Sequence, residues 1–338
     1  MNRLAIMVIT WNNSEDSIEC LESLLKQSQK NLTLLSIDNN STDDSAKQLR
    51  QFIASKPGRD MQFIETGYNG GTAGGFNAGI KWAMDNDYDC IGTLNADAIA
   101  DKEWAKQLVD ELDTHPKAGI ATGLLLRRDG KTIDTSGDFY TTWGLPGPRN
   151  RDQKREAAPQ KPDNVFGSTG GGFIARTDMF RKIGLFDEKF FMYYEDVDIS
   201  FRAQLQGYIV RYTPKAFAFH KLGASSKTVP GLAVYNTFKN VPMLFTKNVP
   251  LALWPTIYPR FVLLYSLILG NAIIKGRGKY ALKGMLKSWL YAPHIFKERR
   301  KIQKQRSVTS QYISSIILHD LPPDQTGLRK FRKIFTGK

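Results

Sequence analysis

The chain has 338 residues, 41% of them hydrophobic and 24% charged, two cysteines and a formal net charge of +14. That length suits one large α/β domain with an appendage, or two small domains, and allows a sizeable core. Cys20 falls in an amphipathic helical pattern and Cys90 in a core strand, which excludes a disulfide pair or a cysteine metal site.

In chain order, the apolar run 3–10 predicts a first buried strand. It is too short for a signal sequence, so the N-terminus reads as that of a cytosolic protein. A helix from about 14 to 28 follows, then strand 32–38, helix 43–55, strand 61–65, helix 75–85, strand 89–95, helix 101–114 and strand 118–126. Such alternation predicts a mostly parallel sheet with helices on both faces. The polar loops after its strands, around Thr10, Asp38, Asn69 and Asn95 to Asp97, then emerge on one edge, where open α/β sheets bind ligands.

The glycine-rich stretch Asn69 to Gly79 follows a strand and opens a helix, the right place for backbone amides to hold phosphate. Neither G-x-G-x-x-G nor a P-loop can be laid over it, which disfavours a nicotinamide dehydrogenase or an ATPase; a tight turn without ligand is the other reading. Residues 143–162 form a long polar loop of the kind that often serves as a lid or binding loop. Gly170, Gly171 and Gly172 inside a strand pattern imply close approach of a ligand or another backbone.

Behind the aromatic run Phe190 to Tyr194, the residues Glu195, Asp196 and Asp198, with Arg202, open a helix. Taken alone, acidic residues there complement the helix dipole, and Asp198 with Arg202 is a routine i,i+4 pair. Two strand ends keep them company: Asp97 closes one apolar strand and His220 another. A carboxylate and an imidazole at the same sheet edge could share a divalent ion, with a further carboxylate as base.

All of the excess charge lies at the end of the chain, since residues 240–338 hold 18 Lys and Arg against three Asp and Glu. The run Phe261 to Ile274 carries no charge for 14 residues, short of the about 20 that a spanning helix needs. With Trp254, Tyr258, Tyr265, Trp289 and Tyr291 beside lysines, it reads as a monotopic contact with an anionic membrane surface. A helical subdomain with a solvated basic face is the alternative. Nucleic acid is disfavoured as a partner, because the tail holds no recognisable module.

Thr10 to Asn13, Asp38 to Asp43, Asn69 to Gly79, Leu94 to Ala98 and Tyr194 to Asp198 with Arg202, then His220, resemble in this order the GT-A glycosyltransferases of family 2, in particular bacterial rhamnosyltransferase-like members. The match covers about residues 3–226. The resemblance implies an α/β fold of GT-A type over 1–239, and the charge and aromatics of 240–338 make that part a basic, amphipathic helical region associating with membrane. It also implies inverting transfer from a nucleotide sugar, best dTDP-L-rhamnose, to a glycan or polyprenyl-diphosphate-linked acceptor at the inner face of the cell membrane. A UDP-sugar, such as that of galactofuranose or another hexose, is the alternative donor. A catalytically dead sugar-nucleotide-binding scaffold is an alternative of another class.

Residue by residue, the resemblance places Thr10, Asp38 and Asp43 at the nucleotide base and Asn69, Gly75 and Asn77 against the sugar nucleotide. Asp97 and His220 become ligands of Mn2+ or Mg2+, and Asp196 the catalytic base, supported by Glu195, Asp198 and Arg202. Asn95 stands where the family's D-x-D motif has its first acid, which removes one charge from the donor site. Lys221, Ser225 and Ser226 either hold the leaving diphosphate or are surface residues.

Overall fold

The computed structural model describes residues 3–221 and 229–321. Its first third alternates as the pattern predicts: β1 (Leu4–Thr10), α1 (Ser14–Leu24), β2 (Leu32–Asp38), α2 (Ser45–Ala54), β3 (Met61–Glu65), α3 (Gly71–Asp85), β4 (Cys90–Leu94), β5 (Ala98–Ala100), α4 (Trp104–Thr114) and β6 (Ala118–Arg127). Short elements follow, β7 (Ile133–Thr135), β8 (Asp138–Tyr140), β9 (Pro146–Pro148) and β10 (Asp163–Val165), then β11 (Gly172–Arg176), α5 (Thr177–Ile183), α6 (Glu195–Leu205) and β12 (Ile209–His220).

The main sheet runs β10-β12-β6-β11-β4-β1-β2-β3. Strands β4, β1, β2 and β3 are parallel, and Thr10, Asp38 and Glu65 end in register, so the loops after them leave the sheet together. Covered on both faces, β1 is apolar at nearly every position, as a central parallel strand must be. The sheet is more mixed than expected, because β11 runs antiparallel to both β4 and β6. It enters from the edge where β4 ends, and Asn95 N–H donates to Gly171 O at 3.0 Å.

Helix α3 begins at Gly71, four residues earlier than expected. Most of the glycines therefore lie inside a helix, where Gly usually weakens it. Their use here is packing: a Cβ at Gly75 would run into Ile9, and one at Gly79 into Met7 and Ile37. The 143–162 stretch is tied down by arginines. Arg149 bonds the Ser136 carbonyl and Asp163, and Arg151 bonds Asp134.

After the sheet come α7 (Leu232–Asn248), α8 (Trp254–Ile274), α9 (Gly278–Leu290), α10 (Ala292–Gln305) and α11 (Ser310–Ile316). Helix α7 runs straight through the boundary expected at 239/240. Its apolar side chains Val241, Leu244 and Phe245 share one buried cluster with Phe190, Val197 and Phe201 of the α6 region, so the start of the tail is part of the core. Within α7, Pro242 lacks the N–H that would reach the Phe238 carbonyl. The Tyr265 hydroxyl of α8 donates to that carbonyl at 2.8 Å and joins the two helices.

The charge-free run proves to be the end of a longer apolar helical stretch, Leu251–Ile274. Its 24 residues, within which an 18-residue window has mean hydropathy 1.6, are enough by length and composition to cross a membrane. Only 22% of that window is buried. Tyr258, Val262, Leu263 and Ile274 of α8 stay exposed, together with Leu282, Leu286, Trp289 and Leu290 of α9 and Phe296 of α10.

Candidate active site

A cleft of about 770 Å³ opens at the carboxyl edge of the sheet. Trp11 and Asn13 after β1, Asn39 after β2, Asn69 before α3, and Asn95 and Asp97 after β4 line it from the sheet side. Asp138, Arg151, Gly170, Glu195, Asp196 and His220 line it from the other.

Asp97 and His220 come together because β5, just after Asp97, pairs antiparallel with the end of β12, setting Ala98 opposite His220. His220 Nε2 lies 3.0 Å from Asp97 Oδ1 and 3.2 Å from Asn95 Nδ2. Its Nδ1 lies 2.8 Å from Asp134 Oδ2, and Arg151 holds the other Asp134 oxygen at 2.8 Å. Burial alone would lower the imidazole pKa. Hydrogen bonds to Asp134 and Asp97, with their charges, push it up to about 9 instead. Asp134 is held below the usual carboxylate range despite its burial, by His220 first and Arg151 next.

A divalent cation fits this arrangement. With Nδ1–H donated to Asp134, a cation would take the place of the proton that Nε2 shares with Asp97, and the ring is already turned as in metal-bound histidines. Among the described residues no group of three or more His, Cys, Asp or Glu side chains is arranged to hold an ion. Asp97 and His220 would be the protein's two ligands, leaving positions for diphosphate oxygens.

Asp196 sits one residue into α6 and faces the cleft. Its Oδ2 accepts the Gly170 N–H at 2.7 Å and its Oδ1 the Val197 N–H at 2.8 Å. The glycine run on β11's approach serves this contact, since a Cβ at Gly170 would crowd the Asp196 carboxyl. Burial raises the Asp196 pKa, and the amide hydrogen bonds hold it partly down. Next to it, Glu195 is pushed well above the usual range by burial and by the Asp196 charge, and its buried Oε2 has no partner among the described residues. Asp138 is likewise raised, by burial and then by Asp196.

The backbone leading into α6 is unusual. Phe191, Tyr193 and Tyr194 have φ of 64°, 68° and 70°, a region that costs a non-glycine residue on the order of 1–3 kcal/mol and recurs at functional sites.

Several sequence-predicted residues serve elsewhere. Asp198 is fully buried between Arg202 (2.9 Å) and Lys247 (3.1 Å). Arg202 also donates to the carbonyls of Ile183 and Leu185, so its guanidinium braces the fold and does not face Asp196 or a diphosphate. Asn77 is buried and bonds Phe186 and Glu188, and Gly75 packs on Ile9; neither lines the cleft. Thr10 donates to Ser17, and Asp43 accepts the Ser45 N–H. Asp38 accepts the Ser41 N–H at 3.1 Å while its buried Oδ1 has no partner among the described residues; its neighbour Asn39 lines the cleft in its place. Amides at the start of α3 are occupied from within: Gly71 N–H bonds Asn69 Oδ1 and Ala73 N–H bonds the Phe191 carbonyl. Lys221 pairs with Asp16 at 3.0 Å. Ser225 and Ser226 lie outside the described residues.

Asp134, Asp138 and Arg151 escaped the sequence reading, because they sit in short strands and a loop with no motif or periodicity.

Comparison with known proteins shows the family and the fold. Residues 5–184 match the family described as glycosyl transferase family 2. The chain is 24% identical over 249 residues to the low-salt glycan biosynthesis hexosyltransferase Agl10 of Haloferax volcanii, covering 71% of this chain and 74% of that protein. It is also 24% identical over 216 residues to the poly-beta-1,6-N-acetyl-D-glucosamine synthase of Staphylococcus epidermidis, covering 64% of this chain and 49% of that one, so it spans about half the length of that relative. Among solved structures, a mannosyltransferase from Pyrobaculum calidifontis in complex with GDP-Man and Mn2+ superimposes with a TM-score of 0.55 at 14% identity, covering 93% of this chain and 85% of that one. Residues 1–349 of TarS from S. aureus give 0.55 at 15%, covering 89% and 90%. Likeness at such identity speaks for the fold, which is of GT-A type. The chain belongs to glycosyl transferase family 2 and is a glycosyltransferase.

Proposed function

We propose that this glycosyltransferase inverts the anomeric centre of a nucleotide sugar as it transfers the sugar to a lipid-linked or growing cell-surface glycan, with Asp196 as general base. The observation that carries this reading is one cleft lined by the Asp97–His220 pair and by Asp196. Each Asp196 oxygen accepts one backbone N–H and keeps a second lone pair, so the carboxylate is oriented and still able to take a proton. The acceptor hydroxyl would give its proton to Asp196 while its oxygen bonds the anomeric carbon, and the bond from that carbon to the diphosphate oxygen breaks on the opposite face. Mn2+ or Mg2+ held by Asp97 and His220 would supply Lewis-acid neutralisation of the departing diphosphate. Burial and the Asp196 charge favour the protonated form of Glu195, in which its unpartnered oxygen suits donation of a hydrogen bond to an acceptor oxygen.

As donor we propose dTDP-L-rhamnose, on the resemblance of the five ordered motifs. A UDP-sugar of galactofuranose or another hexose is the second reading, favoured by the relatives named for hexosyl and N-acetylglucosamine chemistry. The exposed apolar side chains of α8, α9 and α10, interleaved with Lys279, Lys283, Lys287, Lys297 and Lys301, support a peripheral position on the anionic inner face of the cell membrane. Turnover with a panel of nucleotide sugars and a polyprenyl-diphosphate-linked glycan tests the reading. One donor should be consumed with inversion, and retention of configuration would rule the mechanism out.

A further inference from the structure

The carbonyls of Phe190 to Tyr193, which carry the left-handed backbone into α6, are gripped by side chains from α7. Asn240 Nδ2 lies 3.0 Å from Phe190 O, 2.9 Å from Met192 O and 2.8 Å from Tyr193 O. Its two protons are thus shared among three acceptors, while its Oδ1 has no partner among the described residues, so this amide serves the loop alone. Lys239 Nζ adds a fourth contact, to Phe190 O at 3.0 Å. From the other side, Ala73 N–H at the start of α3 takes Phe191 O at 3.1 Å, and Gly71 leaves room for that carbonyl because a Cβ there would overlap it. Both Asn240 and Lys239 are buried.

We infer that Asn240 is a positioning residue for the transfer: it holds residues 190–194 in the strained path that turns Asp196 toward the acceptor side of the cleft. The inference rests on Asp196 being the base. Three positive-φ residues out of the four from 191 to 194 do not persist unless the surroundings over-determine them, and here three of the hydrogen bonds to the run come from one asparagine. Freed from it, the run relaxes toward ordinary φ and the carboxylate shifts while the sheet side of the cleft stays intact. A displacement of about 1 Å at a catalytic group can cost on the order of 100-fold in rate.

The test compares Asn240→Leu with Asn236→Leu, a substitution one turn earlier on α7, where the buried amide has no partner among the described residues. Asn240→Leu should lower kcat by about 10–100-fold, with the nucleotide-sugar Kd within about twofold of wild type. Asn236→Leu should leave both unchanged. Lys239→Met, which removes only the fourth contact, should lower kcat less, and it carries the test if Asn240→Leu does not fold. Wild-type kcat in Asn240→Leu, or a parallel loss of donor affinity in it, would overturn the positioning role. If Asn240→Leu keeps wild-type kcat while Asp196→Asn loses it, the base assignment stands and only the positioning role falls; if Asp196→Asn keeps its rate, both fall.

Discussion

Asp134 Oδ2 lies 2.8 Å from His220 Nδ1 and thereby decides which ring nitrogen faces Asp97. The carboxylate is itself fixed by Arg151 through its other oxygen. Removing such an orienting partner typically costs 10–100-fold in metal affinity. Asp134→Asn should therefore weaken Mn2+ binding by roughly that factor, read by titration calorimetry of the metal alone. Unchanged affinity would separate Asp134 from the metal site.

The acid limb of kcat/KM should lie above the ordinary carboxylate range. Asp196 accepts a proton only as an anion, and burial raises its folded pKa. The anionic fraction then declines at a higher pH than for a free Asp, whose pKa is about 4. A limb at or below that value in a pH–rate profile would contradict the assignment.

Lys247 is buried between Asp187 and Asp198, 2.6 Å and 3.1 Å away. Burial alone would raise both carboxyl pKa values; the Lys247 charge, aided by His294 at Asp187 and by Arg202 at Asp198, holds them below the usual range. Groups with a depressed folded pKa stabilise the fold above their unfolded pKa, and that stability is lost as pH falls through the folded value. Lys247→Met leaves Asp187 with His294 and Asp198 with Arg202, each one cationic partner short in a buried site, and should cost about 3–5 kcal/mol at neutral pH, measured by denaturant unfolding. The deficit should shrink as pH falls from about 4, the ordinary value for Asp, toward the lower folded values of both acids.

The parallel half of the sheet and the strand-end positions of Asp97 and His220 were legible because apolar runs and their polar ends are local signals. Asp196 was legible through the acidic turn that opens α6. What stayed hidden depends on contacts remote in sequence. Arg202 and Asp198 look like a catalytic pair but are drawn into a buried network with Lys247, 45 and 49 residues further on. Gly75 and Asn77 sit in a motif that suggests ligand, and their use is to pack α3 against β1 and the 186–188 loop. The boundary at 239/240 followed the change in charge, whereas packing carries the core through α7.

That last point has a consequence for truncation. Deleting residues 240–338 removes Asn240, Lys247 and Asn248 and opens the apolar cluster around Phe190, Phe201 and Phe245. The shortened chain should be insoluble or inactive, not a soluble donor-binding domain. A folded, donor-binding fragment in size-exclusion and calorimetry would contradict the packing.

Membrane contact should depend on the exposed face of α9. Leu286→Glu with Trp289→Glu places two acids on a surface where Trp289 is 76% exposed. Sedimentation with phosphatidylglycerol vesicles at low salt should fall, since each basic residue near such a surface contributes about 1 kcal/mol and acids oppose it. Equal sedimentation of wild type and variant would place the contact elsewhere.

The most direct test of the transfer chemistry is Asp196→Asn, assayed for kcat and for nucleotide-sugar Kd on the same preparation. General-base catalysis contributes about 10²–10⁴-fold, so kcat should fall by at least about a hundredfold while Kd stays within about twofold. A variant retaining more than about a tenth of wild-type kcat would show that Asp196 is not the base.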